Sequence, residues 1–483
     1  MLFTEPAFLF FFLPIVLALY YIPIRWHRNA VLLLSSLVFY AWGEPRFVLV
    51  LFASFLLNYL MGLWLGRTLG TPGARKVLAL AVALNLAILV FWKYANFFVA
   101  NLNVALSAAG IHPFELAHIT LPLGISFFTF HAMSYVIDIY RGNAPAQKNP
   151  LNIAMYLSLF PQLIAGPIVR YKDIAGQLDE RSVTADRFAY GIRRFVLGLG
   201  KKMLIANTLA GVADKVFALP AAQMTAGLAW LGAVCYAMQI YFDFSGYSDM
   251  AVGLGHMLGF KFIENFNYPY ISRSITEFWR RWHISLSTWF RDYLYIPLGG
   301  NRCAPWRVYC NLVIVFALCG LWHGASWSFL VWGLFHGAFL VIERMGFNRV
   351  LEKLWAPLSH AYAMLAVLVG WVLFRSETLG GALSYLKVMA GLGQPSPTQS
   401  HAAMYLDVEL VATLCVGAVA SAPALPALIE YWKGLSGRLP GAFRSWSNAA
   451  ATSAGLLCLG IIFGLCATFM AAGTYNPFIY FRF

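Results

Sequence analysis

Apolar runs of membrane-spanning length recur from one end of this chain to the other. Inside a bilayer no water satisfies a backbone N–H or C=O, so a run of about 20 apolar residues has to become a helix that closes its own hydrogen bonds. The composition agrees. Of 483 residues, 60% are hydrophobic and 11% charged, with a mean hydropathy of +0.68, too little charge to cover a water-soluble globule. The reading is an all-α polytopic membrane protein. Its spans are expected at residues 7–22, 30–42, 47–66, 76–98, 119–140, 151–169, 190–219, 226–244, 308–325, 327–343, 361–375, 403–425 and 451–472. Several are short or broken by Gly and Pro, which gives roughly 10–13 transmembrane or re-entrant helices. No linker or low-complexity stretch divides them, so residues 1–483 read as one domain.

The net charge of +14 sits in short segments such as "YIPIRWHRNA", "GRTLGTPGARK" and "RFVLGLGKK". That distribution marks the cytoplasmic loops of a membrane protein and excludes a nucleic-acid partner; the partner implied is the lipid bilayer. The first run has only Glu5 before it and Arg25, His27 and Arg28 after it, with no small-residue cleavage site. This predicts an outside N-terminus and a first helix running inward. The seven cysteines form no CxxC pair and suggest neither a disulfide framework nor a metal site.

Three stretches break the lipid-facing pattern. In "FPQLIAGPIVRY", Pro161, Gly166 and Pro167 interrupt a helix, which is tolerable only against protein or a water-filled cavity. "YFDFSGYSDMAVGLG" places Asp243 and Asp249 among aromatics and glycines, where pairing with Arg273, Arg280 or Arg281 is expected. The basic, amphipathic segment 273–307 contains "SITEFWRRWHISLSTWFRDYLYIPLGG". As one helix it carries Trp279, Trp282, His283, Leu286, Trp289, Phe290 and Tyr293 on a single stripe, with Arg281, Ser285 and Asp292 away from it. Such a helix suits the interface or the floor of a membrane cavity.

Titratable side chains at membrane depth are costly and mark function or a hidden partner. His323, in "LWHGASW", has two readings. It is either a neutral imidazole bonded to a neighbouring helix while Gly324, Ala325 and Ser326 permit close packing, or a general base in a low-dielectric tunnel. His336 lies thirteen positions on, roughly 220° around an ideal helix, and so reads as structural. His283, on the buried stripe, reads as an orienter of the base or donor. No HExxH spacing supports a metal, and no GxSxG elbow, Walker A loop or GxGxxG fingerprint is present. The tail "YNPFIYFRF" (475–483) reads by default as an aromatic interfacial anchor. Alternatively Tyr480 enters the active cavity as a hydroxyl acceptor, flanked by Phe478 and Phe483.

At "LWHGASW" and "FWRRWHISLSTWFRDYLYIPLGGNR" the sequence resembles the membrane-bound O-acyltransferase family, most of all its alginate O-acetylation branch with bacterial cellulose-acetylation relatives. "LPLGISFFTFHAMSYVIDIYRG", "FPQLIAGPIVRY" and "YFDFSGYSDMA" extend the likeness over the whole chain. The resemblance implies helices around a central tunnel or funnel, with His323 at the family's catalytic position and His283 at its second active-site histidine. Tunnel-lining or supporting roles around them are expected for Trp322, Ser326, Asp243, Asp249, Arg280, Arg281, Phe478 and Phe483. In the related D-alanylation of teichoic acids, a small partner protein ends in an FxYxxF-like motif whose tyrosine carries the acyl group; Phe478, Tyr480 and Phe483 have that spacing here.

The expected function is transfer of acetyl from a cytosolic thioester, acetyl-CoA or another, across a bacterial inner membrane for O-acetylation of an exopolysaccharide of alginate or cellulose type. No cofactor is expected to be held. A periplasmic hydrolase-like acetyltransferase and the exopolysaccharide machinery are the implied partners. Two alternatives stand beside it. One is D-alanyl or other acyl transfer to an envelope polymer. The other is a flippase or transporter of an acylated precursor, which broken helices and buried aspartates also fit.

Overall fold

The computed structural model describes residues 1–24, 27–393, 400–473, 475 and 479. Among them the architecture is helical, and the sole extended pairing is an isolated bridge between Met224 and Ser400. The first eight helices are α1 (Phe8–Tyr20), α2 (Arg28–Gly43), α3 (Val48–Thr68), α4 (Gly73–Ala108), α5 (Ile125–Tyr140), α6 (Pro150–Ser158), α7 (Phe160–Leu163) and α8 (Tyr171–Asp179). The centre follows with α9 (Ala185–Ala218) and α10 (Ala226–Met257), then the short α11 (Ile275–Arg281) and α12 (Ile284–Phe290). Helices α13 (Pro305–His323), α14 (Trp327–Lys353), α15 (Ala356–Arg375), α16 (Leu379–Met389), α17 (Val408–Ala420), α18 (Ala424–Ser436) and α19 (Gly441–Ala471) complete the chain.

Seven described helices are long and apolar enough to cross a bilayer, or eight if α17 and α18, bent by 61°, form one span. The difference from the longer sequence count has local causes. The run expected at 119–140 is helical only from Ile125, because Gly124 turns the chain at φ +75 with Leu163's carbonyl pressed against it. The run at 151–169 breaks where Leu159 leaves helical geometry between α6 and α7. Residues 153–169 are buried throughout, so the irregular backbone around Pro161 and Gly166 lies against protein, as such backbone must.

The core is the antiparallel pair α9–α10, whose backbones meet along a glycine seam. A Cβ on Gly198 would meet Gly246's carbonyl at 2.6 Å, and one on Gly246 would meet Gly198's at 2.7 Å; Gly191 and Gly253 repeat the relation at 2.6 Å both ways. Small residues at a seven-residue spacing thus substitute close backbone packing for the hydrophobic drive that lipid cannot supply. Lys201 and Lys202 lie inside α9, in a π turn (Lys201–Ala206), and not in a loop as their sequence suggested. Helix α10 is buried along nearly its whole length and runs well past residue 244, so Asp243 and Asp249 are interior positions.

The helix ends sort into two faces. On one, Arg181 donates to Tyr20's hydroxyl, Asn29 to Leu178's carbonyl, Arg194 pairs with Glu264, and Arg170 pairs with Asp292 at 2.5 Å. Burial pushes the Asp292 carboxyl up, but Arg291, Arg170 and Lys172 outweigh it and hold it below the ordinary carboxylate range. This face also carries Arg67, Arg75 and Lys76 at the α3–α4 turn. The opposite face, with the 109–124 stretch and the 219–225 turn, has no Lys or Arg in either segment. Substituting Gly246→Leu is expected to destabilise the full chain by about 3 kcal/mol or more through overpacking. Thermal unfolding in detergent would show it against Gly227→Ala, where nothing lies within 4 Å of the added Cβ.

Candidate active site

Helix α13 ends at His323 because Gly324 turns to an extended backbone (φ −159, ψ 147), and Ser326 starts α14 by accepting Phe329's N–H at 3.5 Å. The two helices form a tight hairpin. A Cβ on Gly320 would run into Phe329's carbonyl and one on Gly333 into Phe316's. His323 therefore sits at the hairpin's turn, 6% exposed. Trp322, Trp332 and Phe374 pack around its ring, with centroids at 5.0, 5.2 and 5.2 Å.

Cavities approach this histidine from two sides. One of about 930 Å³ runs down from residues 1–5, 42–44 and 118–123 to a floor of Lys93, Ser126, Trp322 and His323. The other, about 630 Å³, is walled by Asp214, Tyr236, Arg375, Glu377 and the Gly324–Ser326 turn, and closes on Phe374 and Ile479. Between that closure and His323 lies a gap of about 10 Å³ bordered by Phe244, Trp332, Phe374 and Ile479, about the room of one water. Both cavities open on the face poor in basic residues.

The amphipathic segment is not one helix. It breaks at His283, which takes φ 45 and ψ 54, one of two non-glycine residues with positive φ among those described. A bulky residue held there marks a place the surroundings over-determine. The stripe itself holds, with Trp279, Trp282, His283, Leu286, Trp289, Phe290 and Tyr293 all buried. Ser285 and Asp292, expected away from it, are buried too, because the break re-aims the second half of the segment. Ser285 accepts Ile168's N–H at 3.0 Å and donates to Asn265 at 2.9 Å.

Asn265 fixes His283 chemically. Its Oδ1 accepts the backbone N–H of Ser285 at 3.1 Å, so that atom is an oxygen, and the Nδ1 of His283, also 3.1 Å from it, must be the donor. The neutral ring is thereby held as the Nδ1–H tautomer. Its Nε2 is left as a lone-pair acceptor, buried with no hydrogen-bond partner. The rings of His283 and His323 are 6.5 Å apart, with Trp322 beside both. His336 shares Trp332 with His323 but packs against Trp279 and Phe335 on the far side.

The aspartates do not pair as expected. Asp243 pairs with Lys202 at 2.7 Å and accepts the backbone N–H of Ile479 at 3.0 Å, while Asp249 pairs with Arg194 and Lys201, both at 2.7 Å. Arg280 is exposed, Arg273 is exposed, and Arg281 pairs with Glu277 at 2.9 Å. These arginines lie on or just before α11, and none of them pairs with either aspartate. Phe478, Tyr480 and Phe483 lie outside the described residues. Three residues the motifs did not single out belong to the site. Asn265 and Lys93 are two. Glu343, 1% exposed, is the third, accepting the N–H groups of Ile275 and Thr276 at 2.6 and 2.8 Å at the start of α11. A lone lysine in an apolar run was the available signal for Lys93; Asn265 carried none.

A family model described as the membrane-bound O-acyltransferase family matches residues 144–356. The chain is 44% identical to the probable alginate O-acetylase AlgI of Pseudomonas aeruginosa over 100% of both chains. It is 48% identical to that of Azotobacter vinelandii over 86% of this chain and 83% of that one. It is also 37% identical to the peptidoglycan O-acetyltransferase of Helicobacter pylori, over 81% of this chain and 80% of that one.

Replacing Asn265 by Ala removes the oxygen that sets the His283 tautomer. Acyl-transfer rate per inserted protein is expected to fall about tenfold or more, as losing one buried positioning bond implies. His283→Phe would fall at least as far.

Proposed function

This chain belongs to the membrane-bound O-acyltransferase family, and from that premise we propose that it moves acetyl groups from a thioester in the cytosol to an exopolysaccharide outside the cell, with His323 as general base. The observation that carries the reading is the position of His323: a buried imidazole between two cavities, with a second histidine 6.5 Å away. The names of the relatives, alginate O-acetylases and a peptidoglycan O-acetyltransferase, support acetyl as the group and an envelope or exported glycan as its destination.

The orientation follows from charge. With the basic face in the cytosol of an inner membrane, both His323 cavities open outward. The donor, acetyl-CoA or a similar thioester, then approaches past the His283 segment. A hydroxyl entering from outside gives its proton to the imidazole of His323 while its oxygen attacks the thioester carbonyl. Collapse of the tetrahedral intermediate breaks the C–S bond and the leaving thiolate takes up the proton. The product is an oxygen ester with no further energy input, available to an extracytoplasmic acetyltransferase that finishes the transfer.

Tyr480 is the acceptor hydroxyl in this reading. In support, Ile479, its neighbour in sequence, is 4% exposed, is tied to Asp243 and borders the gap beside His323. Two outcomes test the scheme. His323→Ala is expected to abolish O-acetylation of the exopolysaccharide while the protein stays at wild-type level in the membrane; retained acetylation would sink the base assignment. Mass spectrometry of the C-terminal peptide is expected to find an acetyl increment on Tyr480 in wild type and none in His323→Ala. Full polymer acetylation by Tyr480→Phe would return the tail to an anchoring role.

A further inference from the structure

An α-helix leaves its last four carbonyls without intrahelical partners. At most helix ends water takes them; α13 ends in the protein interior, and all four are bound. Gly320's carbonyl accepts the N–H of Gly324 at 3.2 Å. Leu321's accepts the hydroxyl of Tyr94 at 2.7 Å. Those of Trp322 and His323 both accept from Nζ of Lys93, the latter at 3.2 Å. Three of the four bonds come from two consecutive residues of α4. About 100° apart on that helix, they grip the end of α13 from two sides.

The chemistry suits lysine. Its ammonium has three rotatable donors, and the third lies 3.3 Å from the hydroxyl of Ser126. No carboxylate lies within ion-pair distance of Lys93 among the described residues. The negative end of the α13 dipole, and the face of Trp322 5.8 Å from Nζ, stand in for a counter-ion. With its donors engaged, Lys93 has none to spare for a developing oxyanion. Its effect on chemistry has to pass through the backbone of His323.

We infer that Lys93, assisted by Tyr94, is a positioning residue for acyl transfer: a helix cap supplied by another helix, which fixes the last peptide of α13 and with it the direction of the His323 imidazole. The inference rests on His323 being the base. Without Lys93, two carbonyls at membrane depth would go unpaired and the hairpin turn would seek other partners, moving the ring relative to both cavities.

The test compares wild type, Lys93→Met, Lys93→Arg, Tyr94→Phe and His323→Gln as full chains in exopolysaccharide-producing cells. It scores the rate of O-acetyl incorporation per membrane-inserted protein, together with the melting temperature in detergent. Lys93→Met is expected to lose about tenfold or more per inserted molecule, and Lys93→Arg, which keeps several N–H donors, to recover to within about threefold. A purely structural lysine would change the inserted amount and the melting temperature but not the rate per inserted molecule. If folded Lys93→Met works at the wild-type rate, or Lys93→Arg is as impaired as Lys93→Met, the positioning role is overturned while an inactive His323→Gln still upholds the base. An active His323→Gln overturns the base reading itself. Should Lys93→Met fail to insert, Tyr94→Phe decides: a loss of about threefold or more supports the cap, and an unchanged rate overturns it.

Discussion

Backbone amides and carbonyls that lie at membrane depth without water must find partners, and the centre of this protein is organised around that demand. Several of its central helices end or begin inside the fold, and side chains from other elements meet their termini. Glu343 takes the first N–H groups of α11, Asn265 takes those of α12, and Lys93 with Tyr94 takes the last carbonyls of α13. An unsatisfied buried polar group costs several kcal/mol in hydrocarbon, so each of these side chains is a condition for a helix to end or begin there. The two histidines sit at such junctions: His283 between α11 and α12, His323 at the end of α13. The same bonds that let the chain break inside the fold hold these two side chains in place.

Close packing provides the frame for those junctions. Gly191, Gly198, Gly246 and Gly253 bring α9 and α10 into backbone contact, and Gly320 with Gly333 does the same for α13 and α14. Asp243 and Asp249, spaced along α10 and paired with Lys202, Arg194 and Lys201, reinforce the first pair with buried charge. Removing one partner of such a pair would leave an uncompensated ion, which ties the aspartates to architecture. Asp243 additionally receives the N–H of Ile479, linking the core to the end of the chain.

Periodicity and hydropathy made the helical class, the membrane and most of the outer helices legible in the sequence. The aromatic stripe around His283 and the interruption near Pro161 were also legible, since both depend on residue type at short range. What was not legible depended on partners distant in sequence. The aspartates have several arginines nearby in the sequence, yet their partners lie on α9, and no local pattern encodes which helix packs against α10. Lys201 and Lys202 look like loop residues because a charged pair follows a glycine. The opposing aspartates make them tolerable inside a helix. The break at His283 escaped because helical periodicity continues through it; the positive φ is imposed by Asn265 and by the chain stretch at Ile168. Lys93, a cation within an apolar run, was not singled out, because what it binds is the end of a helix more than 200 residues away.

The two cavities that flank His323 open on the same side of the molecule, away from the basic loops. In the orientation proposed above, His323 faces the outside through cavities of about 930 and 630 Å³. Pharmacologically, that orientation would make the protein addressable by compounds too polar to enter the cell. In that orientation, a ligand that fills the cavity lined by Trp322 and Ser126 would meet the protein from outside the cell.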